Sequence, residues 1–401
     1  MKRRGLWKRG RTGVAAAVCL CALLAALPAV AADYFVSKQG NDANNGQAKE
    51  TAFLTIEKGV NTLSPGDTLT IGPGEYFESV SREGLGSADA DTVIRAEIPG
   101  TVLMRGDADL PEIKKVEGYR FIHAVACDEE PRGVLEHDTL SILTKRPTIL
   151  DVEYEPGAWY YDAAQKTVYL SSTDLRSPAQ RRYTAAVSGE TGIRLNNAKR
   201  VVIEGVAIGG FYPGWSILMD GAASCTVRDC AMYMGTGGIC IDHSGGNNVV
   251  ERCESYGHTF GGIVFYRAKD DIARNCRTYE TKLEGSEHFC IMHYFNMPGT
   301  LLIQDCISWG QNFDFSVKPS QQERLERCVA LGFVRVGNLF NNLIGSGNEY
   351  GRSLRQASAD NILFLREEDL DQDFEFADPL NLDFRLQADS RFRGAGPDGT
   401  D

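Results

Sequence analysis

The sequence has no CxxC pair and no cysteine–histidine cluster at zinc-ligand spacing, which sets aside a metal knuckle. Past residue 27 there is no apolar run long enough to cross a bilayer, so no membrane span is expected. A basic excess is lacking: 42 Lys and Arg stand against 54 Asp and Glu, a formal net charge of −12. Such a chain is a poor general partner for nucleic acid, and an anionic ligand would need a local basic patch or a bound cation. The segments that carry most of the cysteines show no helical period, and the Leu/Asn signature of leucine-rich repeats is absent.

What is present begins with a leader. Lys2, Arg3, Arg4, Lys8, Arg9 and Arg11 precede an apolar run from Val14 to Leu27, followed by Pro28-Ala-Val-Ala-Ala32. The run is too short for a membrane anchor and ends in small residues, so residues 1–32 read as a secretory signal peptide cleaved near Ala31 or Ala32. Arg3-Arg4-Gly-Leu-Trp-Lys8 is similar to a twin-arginine export motif. The expected location is therefore secreted or periplasmic. Six of the basic residues and none of the acidic ones lie in the leader, so the remaining chain carries 36 against 54, a net of −18.

Nine cysteines remain: Cys127, Cys225, Cys230, Cys240, Cys253, Cys276, Cys290, Cys306 and Cys328. In an exported chain they suggest disulfides, but the number is odd and five of them recur in one phrase. CTVRDCAMYM, VVERCESYGH, DIARNCRTYE, LLIQDCISWG and ERLERCVALG each place an apolar residue three before a Cys. The phrase cysteines 230, 253, 276, 306 and 328 are separated by 23, 23, 30 and 22 residues, and VVIEGVAIGG fits one step upstream with Val206 in the Cys slot. A unit of this length with strand-like alternation points to a right-handed parallel β-helix, an all-β solenoid whose equivalent residues stack about 4.8 Å apart. The cysteines then form an inward ladder of small apolar side chains.

A second strand follows each phrase: GGICIDH, GGIVFYR, HFCIMHY, DFSVKPS and VRVGNLF. Apolar alignment stacks Ile239, Ile263, Phe289, Phe315 and Val336 inward, with Ile241, Phe265, Ile291 and Val317 as the next row. The longer step around Cys276 places its surplus in ETKLEGSEH, read as a side loop over 279–288. Along the outside, this frame sets Asp242-His243, Tyr266-Arg267, Met292-His293 and Lys318 on consecutive coils. The row Tyr233, Tyr256, Tyr279 and Trp309 reads as a structural ladder rather than a sugar-stacking platform.

YFVSKQGNDANNG, a short amphipathic helix around Thr55–Leu63 and SPGDTLTIGPGEYFES resemble the opening of exported β-helix proteins of the polysaccharide lyase, pectate-lyase-like type. The matching residues are Val36-Ser37, Gly40, Asp42, Gly46, Pro65-Gly66-Asp67 and Pro73-Gly74-Glu75-Tyr76, and DPLNLDFRLQADS is similar to the closing segment of the group. Residues 33–106 then form the N-terminal cap and first coils, 183–345 the repeats and 346–401 the last coils and tail. Residues 107–182 break the rhythm and read as an inserted β-rich module, with EPGAWYYDAAQKTVYLSS as a hairpin turning at Asp162–Lys166. The resemblance implies a lyase acting on a uronic-acid polysaccharide by β-elimination, and a monomer is expected. Lys318, His293 and Arg267 are the candidate catalytic residues, and His243, Tyr266, Asp242 and His288 the candidate substrate-binding ones. Lys318 would be the base and Arg267 the cation for the substrate carboxylate. Relatives of this kind frequently use Ca²⁺ for that carboxylate, but the run of Asp that binds it is not evident here. Two other readings stand beside it: a glycoside hydrolase with Asp242 and Glu287 as its carboxylate pair, and a non-catalytic carbohydrate-binding or cell-surface β-helix.

Overall fold

The computed structural model describes residues 31–178 and 181–279, and beyond these 289–294, 300–309, 313–316, 322–330, 333–335, 338–340, 343–345, 359–360, 363–365, 376–378, 383–390 and 393. Its body, which starts at Ala32, is a stack of coils bearing three parallel sheets. The first sheet runs through eleven strands from Asp33–Val36 to Ala359–Asp360. The second has ten, from Gly74–Tyr76 to Leu363–Leu365, and the third eight, from Val80–Glu83 to Phe333–Arg335. Successive coils add strands to these sheets in turn, so a parallel β-helix results. No helix among the described residues is long and apolar enough to cross a membrane.

The repeated phrase is the corner between the first and second sheets. Residues just before the phrase cysteines, namely Asp229, Arg252, Asn275, Asp305 and Arg327, all adopt left-handed backbone with φ of 48–54°. Each such bend turns the chain so that the next side chain points inward. Cys230, Cys253, Cys276, Cys306 and Cys328 are buried, and these five are free thiols. Across the bend each phrase thiol donates to the carbonyl two residues earlier, as from Cys230 to Arg228 (3.2 Å) and from Cys276 to Arg274 (3.3 Å). A thiol fills a methyl-sized space and makes this weak bond without the desolvation cost of a hydroxyl. Burial pushes the Cys253 and Cys306 thiols well above their ordinary range, so they stay protonated and inert. Three residues before Val206 and each phrase Cys, Ile203, Val227, Val250, Ala273, Ile303 and Leu325 stack in register and are buried.

The first coil is closed by α1 (Ile56–Thr62), whose buried face is Ile56, Gly59 and Val60. A Cβ at Gly59 would lie 2.7 Å from Leu69 and 2.9 Å from Val36, so glycine lets the helix seat on the coil end. Asp42 of the opening motif accepts the Leu54 and Thr55 N–H groups, and Glu78 accepts those of Ile56 and Glu57. These carboxylates satisfy the first turn and hold the cap over the open strand edges.

An inserted β-rich module leaves the stack after Arg105 and rejoins it at Ile193. The coil strands on either side still pair directly, Val102–Arg105 with Val206–Gly209 and Thr92–Ala96 with Val201–Glu204. The module holds two mainly antiparallel sheets of four and five strands, α2 (Ile149–Tyr154) and its own core around Trp159, Val168 and Leu170. Its hairpin pairs Ala158–Asp162 with Thr167–Leu170. The module sits on the outer face of the second sheet, where Leu135 and Ala186 meet Tyr233 and Met234. Arg105 is 1% exposed at this seam and is neutralised by Asp107 (2.9 Å), Asp109 (3.0 Å) and Glu75 (3.2 Å).

Candidate functional site

The third sheet alternates inward and outward residues, and its register differs from the sequence alignment in two coils. Ile217, Ile239, Ile263, Ile291, Phe315 and Val334 form one row, while Phe289 pairs with Gly261. Ile291 and Val334 therefore hold the places that the sequence frame gave to Phe289 and Val336, a shift of two residues in each coil. His293 consequently pairs with Phe265, in the row of the buried Met219 and Ile241, and not with the Arg267 corner. Tyr294 takes the position beside Tyr266. The His293 side chain, Lys318, His288, Glu287 and the expected side loop lie outside the described residues.

A cluster of polar side chains does assemble at the C-terminal edge of this sheet. Asp220 and Asp242 end neighbouring strands in register, and the next residue of each coil turns the corner with left-handed backbone: Asn197 (φ 53°), Gly221 (φ 70°), His243 (φ 45°) and Arg267 (φ 58°). At Gly221 a Cβ would come within 2.4 Å of the Asn197 side-chain oxygen, so this coil has both the φ and the space of a glycine. The corner carries the following side chain out of the sheet. His243 Nδ1 lies 2.9 Å from Asp220 Oδ1 and 3.2 Å from Asp242 Oδ1, and its own backbone N–H donates to Asp242 Oδ1 at 2.7 Å. Arg267 Nη1 stands 3.5 Å from the same Asp242 oxygen.

This geometry fixes the imidazole. Carboxylate oxygens only accept, so in the neutral ring Nδ1 carries the proton and donates, and Nε2 keeps its lone pair. The His243 side chain is 54% exposed. The arrangement can thus take up a proton at Nε2 while the two carboxylates stabilise the resulting imidazolium. Nearby on the same sheet, Val264 is fully buried under Trp215, Phe260 and Tyr266, and the Trp215 and Phe260 rings meet edge-on at 6.0 Å.

As a metal centre the cluster offers Asp220, Asp242 and His243, with one ligand atom each inside 4.8 Å. That donor set does not match calcium, which takes about 6–8 oxygen ligands and not imidazole. Asp242 Oδ1 is also already occupied by a peptide N–H and faced by Arg267.

Of the residues named from sequence, the structure joins Asp242, His243 and Arg267 and puts Tyr266 beside them. It adds Asp220, which was missed. WSILMD aligns directly with GGICID, and extending the second-strand frame one coil upstream would have found it. The aromatic row is a ladder: Tyr233, Tyr256 and Tyr279 stack at 6.1 and 5.0 Å with planes tilted 23° and 7°. Their faces cover one another, and the Tyr279 hydroxyl donates to Glu254.

The model of the family described as the right handed beta helix region matches residues 181–321. With three parallel sheets on stacked coils already evident, this decides the architecture. The fold is a right-handed parallel β-helix of the pectate-lyase-like kind. Similar solved structures include the pectate lyase Pel9A, 13% identical over 91% of each chain with a TM-score of 0.54. XylC in complex with xylose is 12% identical over 82% of this chain and 70% of that one, at a TM-score of 0.53. A glycoside hydrolase is 11% identical over 84% and 95%, at 0.50. At these identities the likeness is one of fold. No curated protein matches the sequence.

Proposed function

We propose that this β-helix protein is an exported carbohydrate-active enzyme, a lyase that cleaves an acidic, uronic-acid-containing polysaccharide by β-elimination. The observation that supports this best is the His243 imidazole held through Nδ1 by Asp220 and Asp242, with Arg267 one coil further on. In that reaction His243 Nε2 removes the proton on the carbon next to the substrate carboxylate. The electrons form a carbon–carbon double bond as the glycosidic C–O bond breaks, and the leaving oxygen takes a proton that the imidazolium can return. Arg267 faces the charge that builds on the substrate carboxylate. Lys318 is the rival base.

Elimination fits the carboxylates better than hydrolysis does. Oxygens of Asp220 and Asp242 lie within 4.8 Å of each other, closer than the roughly 6.5–9.5 Å that an inverting pair needs to admit a water. A retaining pair needs one carboxyl as a proton donor, whereas both of these accept from His243. The similar structures include a pectate lyase and a glycoside hydrolase, so a carbohydrate substrate suits either chemistry.

Incubation with a panel of uronic-acid and neutral polysaccharides tests the reading. A rise in ultraviolet absorbance from an unsaturated uronate is expected with an acidic polymer. New reducing ends without that absorbance would make the protein a hydrolase, and binding without either would make it a carbohydrate-binding module.

A further inference from the structure

Two sequence motifs that the corner site does not use meet at a single hydrogen bond. The Ala32 N–H donates to Asp67 Oδ1 at 2.8 Å, and the Ala32 carbonyl accepts from Thr68 N–H at 2.9 Å. Asp67, from Pro65-Gly66-Asp67, is 4% exposed, and its Oδ2 accepts the Ser64 N–H at 2.8 Å. Ala32 is also where the compact body begins. Directly before it, Ala29-Val30-Ala31 is the small-residue pattern at which export peptidases cut.

We propose that the peptide bond between Ala31 and Ala32 is the processing site, and that the α-ammonium released on Ala32 forms a partly buried ion pair with Asp67 that fastens the first strand of the stack. The proposal goes beyond the lyase reading and rests on residues 1–31 being a leader. An export peptidase adds water across the C–N bond, so that Ala31 leaves as a carboxylate and the Ala32 nitrogen becomes an ammonium. The nitrogen that donated one amide proton to Asp67 then carries a full positive charge at the same place. A charge-assisted bond of this kind is shorter and roughly twice as strong as a neutral one, and it supplies the cation that a buried carboxylate calls for.

The location gives the pair something to hold. Asp33 and Thr68 are the first register partners of the strand pair Asp33–Val36 and Thr68–Ile71, which closes one end of the first sheet. Of the elements around the pair, the first strand contributes the exposed Asp33 and the Ser64–Asp67 turn contributes Asp67. The neighbouring strand contributes Thr92, whose hydroxyl accepts the Gly66 N–H, and before it Asp91, which is paired with Arg200 at 2.8 Å.

The test is to express the full chain with its leader in a host that exports it and to compare it with a variant carrying Gly-Ser inserted between Ala31 and Ala32. The insertion keeps Asp67, Ala32 and their peptide hydrogen bond but moves the ammonium two residues away. Mass spectrometry of the exported protein should find Ala32 as its first residue. The α-amine of the folded protein should react with an amine-directed reagent about tenfold more slowly than in the unfolded chain, the effect of about one unit in its ionisation. The insertion variant should label at the unfolded rate and melt at a lower temperature. A first residue other than Ala32, or equal labelling and melting of the two proteins, overturns the ion pair and leaves export standing. An exported chain that retains residues 1–31 overturns both.

Discussion

Two corners of the stack are built from the same left-handed bend yet use charge differently. At the corner between the first and second sheets, opposite charges are matched along the stack. Arg252 meets Asp229 through two bonds of 2.8 Å, and Arg327 meets Asp305 at 2.6 and 2.7 Å. Beside them on the first sheet, Arg228 pairs with Glu204 and Arg274 with Glu251. At the corner after the third sheet, one imidazole is shared by two carboxylates and a guanidinium stands off at 3.5 Å. The first pattern satisfies its groups within the chain. The second leaves a lone pair on Nε2 and donors on Arg267 for something outside it. Backbone strain does not separate them, because left-handed φ recurs at both corners.

The sharpest break between the corners is His243→Ala. If Nε2 is the base, turnover should fall about 10²–10⁴-fold, while the melting temperature stays nearly unchanged because an exposed side chain adds little to folding. Asp220→Asn should lower the rate less and shift its pH profile, since it alters the imidazole and touches no substrate. Lys318→Ala in the same assay sets the rival base beside it. Full activity in His243→Ala with a dead Lys318→Ala would move the chemistry off this corner.

Much of the fold was legible because stacked coils pose the same steric problem again and again. The inward slot after a left-handed bend accepts a thiol, so the spacing of Cys230, Cys253 and Cys276 reports the coil length itself. Register inside a strand was less legible. A slip of one residue turns every apolar side chain to the wrong face, but a slip of two keeps the alternation intact. Phe289 and Ile291 are therefore interchangeable as patterns, and the longer coil between Cys276 and Cys306 removed the only ruler that would have distinguished them. That slip is what placed His293 at the Arg267 corner. The neighbours of His243 were legible from the frame, but its contact with Asp220 was not, since that depends on how the bend swings the imidazole back over the preceding coil.

A second comparison sets His243 against His258, an imidazole inside the coil. His258 is fully buried, its Nδ1 accepts the Gly235 N–H at 3.3 Å, and burial pushes its ionisation down to about 3. The folded protein therefore resists protonating it, whereas the unfolded chain takes a proton near pH 6.5. Stability should be unaffected above about pH 6.5 and fall by about 1.4 kcal/mol per unit as pH drops below it toward 3, a loss of a few kcal/mol in all. His137 at the module seam, driven down to about 4 by burial and by Arg182, acts in the same direction. Chemical denaturation at pH 7 and pH 4.5 should show the loss, and His258→Gln should shrink it. An equal acid loss in the variant would assign it to other groups.

Arg267→Ala tests the outward-facing charge. A hydrogen bond to a charged partner contributes about 1.5–3 kcal/mol, so the variant should handle an acidic polymer about tenfold or more less well, chiefly through KM. Neutral polysaccharides, if bound, should show no change. An unaltered KM for the acidic polymer would mean that Arg267 serves only Asp242.

The smallest effect belongs to the structural corner, and it completes the comparison. Arg252 holds the Asp229 carboxyl below its ordinary range, so the pair contributes above that range and is lost as pH falls through the lowered value. Both side chains are more than one third exposed, at 47% and 37%, and water and salt screen most of the attraction. Arg252→Ala should therefore cost only about 0.2–1 kcal/mol, less still at high salt, and the same change in Asp229 should cost no more. Neither should alter turnover, because each charge at this corner already has its partner within the stack. A large loss of activity in Arg252→Ala with an unchanged melt would show that substrate reaches this corner too, and that matched charges do not mark a purely structural edge.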